Sequence, residues 1–269
     1  FKMNIGIIGK GFVGTAISEG FKTQGHETIC HDVRLETNIR DVLNTPITYI
    51  CVPTPSAPNG DCDTSIVESV LQELYSLNYE GAVCVKSTVK PGSVDSWKKK
   101  FGKVLNISFV PEFLREKCAT FDFIHNNNVL VIGTNDDKTE SLVRECHGVL
   151  PTHTVVMKPI EAELMKYFSN SYKAMRVTFA NAFYKICQEV DANYDVVKDT
   201  FLFHGVGDGH YLKVNKQFGG FGGTCLPKDT KGLANLVKDL DLDIELFNAI
   251  IKDNEKFTNV PNKENREEI

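Results

Sequence analysis

A glycine-rich turn near the start of the chain constrains the fold more than any other feature of the sequence. An apolar run at residues 4–8 predicts a buried strand, and it leads directly into residues 9–14, GKGFVG, which have the spacing GxGxxG. A helical pattern follows, and a second predicted strand at 27–31 ends at Asp32. A lone GxGxxG is weak evidence for nucleotide binding. Here, however, the order of strand, turn, helix, strand and acidic residue is the context of a dinucleotide-binding unit.

The positions within this unit have separate roles. Gly9 permits a tight turn, Gly11 lets a pyrophosphate approach the backbone, and Gly14 lets the helix pack closely on the strand. Asp32 is placed to bind a ribose 2′-hydroxyl and to repel a 2′-phosphate, which favours NAD over NADP. Arg34 instead favours NADP, because a nearby Arg can bind the 2′-phosphate of that cofactor. From this motif alone, an ordinary strand–helix turn stays open as the alternative.

Strands and helices alternate through residues 1–158. The further strands are predicted at 47–52, 82–86, 104–109, 129–132 and 154–157. Asp63 is the predicted N-cap of a helix at 64–77. This rhythm predicts an α/β fold with a Rossmann-like, doubly wound parallel sheet.

Ligands bind at the carboxyl ends of the strands in such sheets. That rule selects three loops that follow predicted strands: 53–55, 87–88 and 111–116. Each loop taken alone also fits ordinary turn chemistry of Pro, Ser and Thr.

A long helix is predicted at residues 159–190, which contain no Gly and no interior Pro. About 30 residues extend roughly 45 Å, which is longer than one small domain covers. Large apolar side chains on more than one face predict that this helix pairs with a second copy and gives a homodimer. Lys166 and Asn170 lie one turn apart on it, and a solvated polar face is the alternative for this pair.

A cysteine at a predicted helix start is the candidate nucleophile. Cys225 lies in the stretch 218–230, FGGFGGTCLPKDT, just before Pro227. Because Pro is favoured in the first turn of a helix, Cys225 is expected at a helix N-terminus, where N–H groups and the helix dipole favour the thiolate. Asp229 follows about one turn later. The alternative is a glycine-rich turn with a buried structural cysteine.

The remaining helices are predicted at 194–203, 227–240 and 243–254. Together with the long helix they form a helical central and dimerisation domain at 159–257. Residues 258–269 are predicted to be a polar tail.

Composition excludes some classes of protein. The chain has 269 residues, a net charge of −5 and 42% hydrophobic residues, which suits one large or two smaller domains. The mild acidity gives no argument for binding nucleic acid or a membrane, and no apolar run approaches membrane-spanning length. The start lacks a signal-peptide pattern. The eight cysteines form no CxxC pair, so we expect no metal site and a reducing, cytoplasmic location.

Taken together, several short motifs resemble the UDP-glucose/GDP-mannose 6-dehydrogenase family. The motifs are the GxGxxG at Gly9, CVPTP at 51–55, KSTV at 86–89, PEFLRE at 111–116, the Lys166 and Asn170 pair, and GGTCLPKDT at 222–230. They occur in the family's order and span most of the chain. PEFLRE and GG-x-CLPKD are specific, whereas GxGxxG is not.

The resemblance implies an NAD-dependent enzyme that oxidises the C6 alcohol of a nucleotide sugar, such as UDP-glucose, to the uronate with two NAD. Cys225 would capture the aldehyde as a thiohemiacetal, and the second hydride transfer would leave a thioester that water hydrolyses. Lys166 and Asn170 would hold the developing oxyanion. Asp229 would assist proton transfer or orient a water. Glu112 would be the hydrolytic base, with Thr88 placing that water.

The resemblance also implies two binding sets. The cofactor-binding residues are Gly9, Gly11, Phe12, Val13, Gly14, Asp32, Arg34, Pro53, Thr54, Ser87, Thr88, Glu116 and Lys228. The substrate-binding residues are Phe113, Leu114, Arg115, Lys166, Asn170, Arg176, Gly222 and Gly223.

The sequence departs from the family in two respects, one of which is that residues 211–221 match neither the UDP-glucose nor the GDP-mannose form closely. It has one dinucleotide fingerprint and no second set of strands, so it is expected to lack the C-terminal nucleotide-binding domain. Two alternatives therefore stay open. One is a non-catalytic or partner-dependent NAD-binding remnant, and the other is a single-step hydroxyacid-type dehydrogenase, which needs no cysteine.

Overall fold

The computed structural model of the chain describes residues 2–205, 207–215 and 219–257. They form two compact units. The sheet unit comprises Phe1–Ala57 and Cys62–Lys166, and the helical unit comprises Pro58–Asp61 and Tyr167–Ile269. The predicted polar tail at 258–269 lies outside the described residues.

A seven-stranded sheet forms the centre of the sheet unit. The strands are β1 (Asn4–Ile8), β2 (Glu27–His31), β3 (Ile47–Ile50), β4 (Ala82–Val85), β5 (Asn106–Phe109), β6 (Val129–Gly133) and β7 (His153–Met157). Their order is β2-β1-β3-β4-β5-β6-β7. All residues of β3 and β4 are buried, as expected for strands that are covered on both faces.

The Rossmann-like fold predicted from the sequence is confirmed, with one correction to the parallel sheet. β6 pairs with β5 in the antiparallel sense, through Phe109 and Gly133, while every other pairing is parallel. An antiparallel neighbour needs no crossover helix across a sheet face, and the connection between β5 and β6 contains only short helical segments. The alternation of strands and helices does not reveal such a reversal.

Helices cover both faces of this sheet. The helices of the sheet unit are α1 (Phe12–Thr23), α2 (Ser65–Ser76), α3 (Ser93–Phe101), α4 (Ala119–His125) and α5 (Asp137–His147), with 3₁₀ helices at Ile39–Asn44 and Glu116–Cys118. α1, α4 and α5 bury apolar side chains in one cluster, and α2 and α3 bury theirs in another. The predicted helix at 64–77 begins at Ser65 and its N-cap is Thr64, so the prediction of Asp63 as the N-cap was wrong by one residue. Asp63 nevertheless accepts a hydrogen bond from the Ser65 N–H at 2.9 Å.

The second half of the chain is helical, as predicted. Its helices are α6 (Pro159–Glu189), α7 (Tyr194–Phe203), α8 (Leu226–Asp239) and α9 (Leu246–Phe257). The division by contacts falls inside α6, after Lys166, rather than at the predicted 158/159 boundary. It also assigns the loop tip Pro58–Asp61 to the helical unit, where the Asn235 side chain donates to the Asn59 carbonyl at 2.7 Å. None of the helices in the described part of the chain is long and apolar enough to cross a membrane.

Candidate active site

The glycine turn between β1 and α1 has the geometry of a phosphate-binding turn. Gly9 has φ +96°, and a Cβ there would lie 2.6 Å from the Cys51 carbonyl oxygen. A Cβ on Gly14 would collide with the Gly9 carbonyl oxygen. In contrast, a Cβ on Gly11, the N-cap of α1, would meet no atom within 4 Å in the described part of the chain. Protein packing therefore does not require glycine at Gly11, whereas a ligand at the helix N-terminus would.

Asp32, at the end of β2, is buried and ionised. Its Oδ2 accepts from the Lys10 N–H at 2.7 Å and from Arg34 Nη2 at 2.9 Å. Its Oδ1 accepts from the Arg34 N–H and Nε, both at 2.9 Å. The hydrogen bonds from Arg34, more than any other contact, hold the pKa of Asp32 well below its usual range. Because four donors use the lone pairs of the carboxylate, a ribose hydroxyl would have to displace the exposed Arg34 side chain.

The loops after β3 and β4 are tied to each other. The Ser87 hydroxyl donates to the Val52 carbonyl at 2.6 Å. The Cys62 thiol donates to the Thr88 carbonyl at 3.1 Å. Thr54 is buried and Pro53 is exposed. The structure thus brings the predicted cofactor residues of these two loops to the same edge of the sheet.

Glu112, after β5, forms a buried ion pair with Lys166 of α6. Lys166 Nζ donates to the Glu112 carbonyl oxygen at 2.7 Å and to Oε1 at 2.8 Å. Oε2 accepts from the Leu114 N–H at 2.7 Å. Burial raises the pKa of Glu112, but the Lys166 charge and these hydrogen bonds outweigh it, so the net pKa is lowered. The carboxylate is therefore ionised, which is the form that a general base needs.

The rest of the loop 111–116 is ordered by other contacts. The centroid of the Phe113 ring lies 5.6 Å from Lys166 Nζ. Arg115 donates to both oxygens of Asp122, from Nε at 2.9 Å and from Nη2 at 2.7 Å. Glu116 begins an exposed 3₁₀ turn.

Sequence reasoning did not identify Lys86, which lies at the end of β4. This side chain is buried, and its Nζ donates to the carbonyls of Val110 at 3.1 Å and Pro111 at 3.4 Å. Burial lowers its pKa. Lys86 therefore holds the segment that leads into Glu112. Its place as the first residue of the KSTV motif was the available signal.

The helical unit places Cys225, Asp229 and Asn170 in one connected group. Cys225 is the N-cap of α8, as predicted, and its carbonyl accepts from the Asp229 N–H at 2.9 Å. Asp229 is 0% exposed, and its Oδ2 accepts from Asn170 Nδ2 at 2.5 Å. Lys228 Nζ forms an ion pair with Oδ1 at 3.1 Å. The buried Asp229 carboxylate is therefore held by the Asn170 amide and the Lys228 ammonium.

The other predicted substrate residues of this unit have separate surroundings. Arg176 Nη2 donates to the Asp208 carbonyl at 2.6 Å and to its Oδ1 at 2.7 Å. Gly223 has φ +77°, and Gly222 lies beside it in the same loop. The first residue of the stretch 218–230, Phe218, lies outside the described residues.

The predicted site residues are thus distributed over both units. The sheet unit holds the glycine turn, Asp32, Thr88, Glu112 and Lys166. The helical unit holds Asn170, Arg176, Cys225, Lys228 and Asp229. That Cys225 captures the aldehyde stays a prediction. Among the described residues, no group of three or more His, Cys, Asp or Glu side chains is arranged to hold a metal ion.

The fold and the glycine turn define a dinucleotide-binding protein of the Rossmann class. The chain matches the NAD binding domain of the UDP-glucose/GDP-mannose dehydrogenase family over residues 33–150 and the central domain of that family over residues 160–256. The chain belongs to this family, and NAD is its cofactor.

Known relatives agree with this assignment. The UDP-glucose 6-dehydrogenase of Rickettsia typhi is 31% identical over 94% of this chain and 67% of its own length. The GDP-mannose 6-dehydrogenase of Pseudomonas aeruginosa is 29% identical over 94% of this chain and 68% of its own length. The solved structure of a UDP-glucose dehydrogenase from Pyrobaculum islandicum superposes with a TM-score of 0.85 at 27% identity, covering 95% of this chain and 68% of that one. The chain thus spans about two thirds of the length of these relatives.

Proposed function

We propose that this chain oxidises the C6 alcohol of a nucleotide sugar, of the UDP-glucose type, to the carboxylate. The observation that carries the proposal is the group in the helical unit: Cys225 at the N-terminus of α8, one turn before the fully buried Asp229, which Asn170 holds. A nucleophile at a helix N-terminus beside a held carboxylate is equipped for covalent capture of a carbonyl.

The reaction proceeds in balanced steps. Each oxidation uses one NAD, which, when bound, would accept one hydride, so that two NAD are consumed per sugar. The first oxidation removes a hydride from C6 and a proton from its hydroxyl, which leaves an aldehyde. The Cys225 thiolate adds to the aldehyde carbon, and the carbonyl oxygen becomes the oxyanion of a thiohemiacetal. Loss of the second hydride from C6 gives a thioester. Water then adds to this carbonyl, the C–S bond breaks, and a carboxylate and the Cys225 thiolate result.

Charged and polar side chains act on these steps. Lys166 and Asn170 stabilise the oxyanion, because fixed donors in a buried setting act strongly on developing charge. Asp229, whose Oδ1 pairs with Lys228, orients a water or moves a proton. Glu112, ionised beside Lys166, accepts the proton of the hydrolytic water, which the Thr88 hydroxyl positions.

The binding sets follow from the same proposal. The glycine turn and Asp32 hold the cofactor's pyrophosphate and ribose, with Pro53, Thr54, Ser87, Glu116 and Lys228 lining the rest of its site. The loop 113–115, Arg176, Gly222 and Gly223 hold the sugar nucleotide. Open space at Gly11 supports the cofactor part of this assignment.

A homodimer is part of the proposal. Exposed apolar side chains follow α6 within the helical unit: Phe168, Tyr172, Phe179, Phe183 and Ile186. A row of large apolar groups on a long helix favours pairing with a second copy. The eight cysteines, all among the described residues, form no disulfide, which supports a cytoplasmic location.

A second candidate function is a partner-dependent NAD-binding remnant. It requires only the NAD binding domain, which the chain matches over residues 33–150. If a separate subunit supplies the rest of the nucleotide site, the isolated chain should bind NAD without turnover.

Turnover on a panel of UDP- and GDP-sugars with NAD, alongside calorimetry with NAD, separates these candidates. We expect NADH formation with at least one UDP-sugar. NAD binding without turnover on any sugar would favour the remnant. A Cys225→Ala variant that turns over at the wild-type rate would instead select a single-step dehydrogenase.

A further inference from the structure

The glycine loop, residues 219–224, is held by two buried asparagines that the mechanism does not use. Asn254 of α9 accepts from the Phe221 N–H at 2.6 Å through Oδ1 and donates to the Phe221 carbonyl at 2.9 Å through Nδ2. Asn181 of α6 accepts from the Gly220 N–H at 3.1 Å and donates to the Val177 carbonyl at 2.8 Å. All these residues belong to the helical unit.

These contacts take the place of a regular hydrogen-bond ladder. Gly220 has φ +65° and Gly223 has φ +77°, so the loop follows neither a helix nor a strand. The amides of two successive residues, Gly220 and Phe221, are satisfied by side chains from two different helices. The two bonds to Phe221 imitate a neighbouring strand and fix the position of its backbone.

Asn254 is an unusual residue for its position. It is buried within a helix, and asparagine is a poor helix former whose buried amide is costly unless its bonds are made. Next to it, Phe221 and Ile250 contribute to a small apolar cluster. An apolar residue would extend this cluster, whereas the amide instead holds the Phe221 backbone through two hydrogen bonds.

We propose that Asn254 is a positioning residue that acts through the Phe221 backbone on Gly222, Gly223 and Cys225, with Asn181 as its second anchor. The loop leads directly into the Cys225 N-cap, so the conformation of Phe221 sets the conformation of the thiol-bearing turn. The effect on the thiol is independent of the substrate. The effect on sugar-nucleotide binding rests on the proposed function.

Site-resolved thiol labelling tests this proposal without any substrate. The chain is treated with 2,2′-dithiodipyridine, and the rate at each cysteine is read by mass spectrometry. Asn254→Ala should label Cys225 roughly tenfold faster, because loss of the two buried hydrogen bonds favours local opening. Cys187, which is buried in α6 of the same unit, should keep its wild-type rate.

Two further variants sharpen the result. Asn248→Ala, on the exposed face of α9, is the matched control and should change no cysteine. Asn254→Asp should behave like Asn254→Ala at pH 8, because its carboxylate cannot donate to the Phe221 carbonyl. At pH 5 the ratio of the Cys225 labelling rate in Asn254→Asp to that in the wild type should fall toward one. A protonated carboxyl can again donate a hydrogen bond to the Phe221 carbonyl.

An unchanged Cys225 rate in Asn254→Ala would overturn the proposal. Equal acceleration of Cys225 and Cys187 would also overturn it, since that result describes general unfolding of the helical unit. With an active sugar nucleotide in hand, Asn254→Ala should raise its KM roughly tenfold and leave the Kd of NAD unchanged. If the wild-type chain shows no turnover, the proposed function fails while the labelling result still stands.

Discussion

The buried ion pair between Lys166 and Glu112 is the residue-level feature on which the candidate site residues of the sheet unit depend. Each side chain was selected by its motif, Lys166 from the long helix and Glu112 from PEFLRE. Neither motif indicates that the two charges contact each other. Once buried, each charge needs the other, because an uncompensated charge in a protein interior is strongly unfavourable.

This pair makes a stability prediction that is separate from activity. Lys166→Met should destabilise the sheet unit by about 3–5 kcal/mol, since it leaves the Glu112 carboxylate buried without its cation. The double variant Lys166→Met/Glu112→Gln should recover part of that loss. Urea unfolding of both variants and of the wild type measures the coupling.

An exposed ion pair is the control for these Lys166 and Glu112 variants. Arg144 Nε lies 2.7 Å from Glu140 Oε1 on the surface of α5. Arg144→Met should cost less than about 1 kcal/mol. A double variant no more stable than Lys166→Met would argue against the charge-pair account.

At the scale of elements, Glu163 of α6 caps α3. Its Oε2 accepts from the Gly92 N–H at 2.6 Å and its Oε1 from the Val94 N–H at 2.9 Å. Burial raises the pKa of Glu163 to about 7, even though these two donors act in the opposite direction. The same cap anchors the far end of the loop that begins with Ser87 and Thr88.

The sign of the resulting pH dependence follows from linkage. A carboxyl with a raised folded-state pKa binds its proton more tightly in the folded state. Its contribution to stability is therefore complete below the unfolded pKa near 4.5 and is lost as pH rises through about 7. Glu163→Gln cannot titrate. The stability of Glu163→Gln minus that of wild type should therefore grow by about 2–3 kcal/mol between pH 5 and pH 8.

Urea unfolding at both pH values measures this difference. Subtracting the wild type cancels other titrating groups, including His147, whose pKa burial lowers to about 3. A difference that stays constant or shrinks between the two pH values would contradict the raised pKa.

The exposed apolar side of α6 makes a prediction about assembly. The rings of Phe179 and Phe183 contact each other at a tilt of 39°, with centroids 4.8 Å apart, and both side chains are exposed. Phe179→Glu combined with Phe183→Glu should convert a dimer to a monomer, because two charges would be buried at the contact. Light scattering at micromolar concentration gives the mass. Val149→Glu, at an exposed position of the sheet unit, is the control. A monomeric wild-type chain would contradict the proposed homodimer.

At the scale of the whole molecule, the sequence predicted the order of elements and the class of fold because those features are local. The strand before the glycine turn, the alternating rhythm and the Pro227 signal for α8 each depend on a short window of residues. The antiparallel pairing of β5 with β6 does not follow from a short window of residues, because two strands with the same pattern can pair in either direction.

The candidate site residues were also predicted from the sequence, because their motifs are contiguous, and their roles stay predictions. The supporting residues were not. Lys86, Asn181, Glu163 and Asn254 act on backbone groups that are distant in sequence, and no pattern around each residue names its partner. A polar residue in an otherwise apolar setting is the available signal, and it identifies a need for a partner without saying which one.

The central claim is that one thiol carries the sugar carbon between two oxidations. The most direct test is an end-point assay of the wild-type chain with limiting nucleotide sugar and excess NAD, in which NADH is counted per sugar consumed. The account predicts a ratio of about two, because the Cys225 thioester forms only after a second hydride leaves C6. A ratio of one would contradict it.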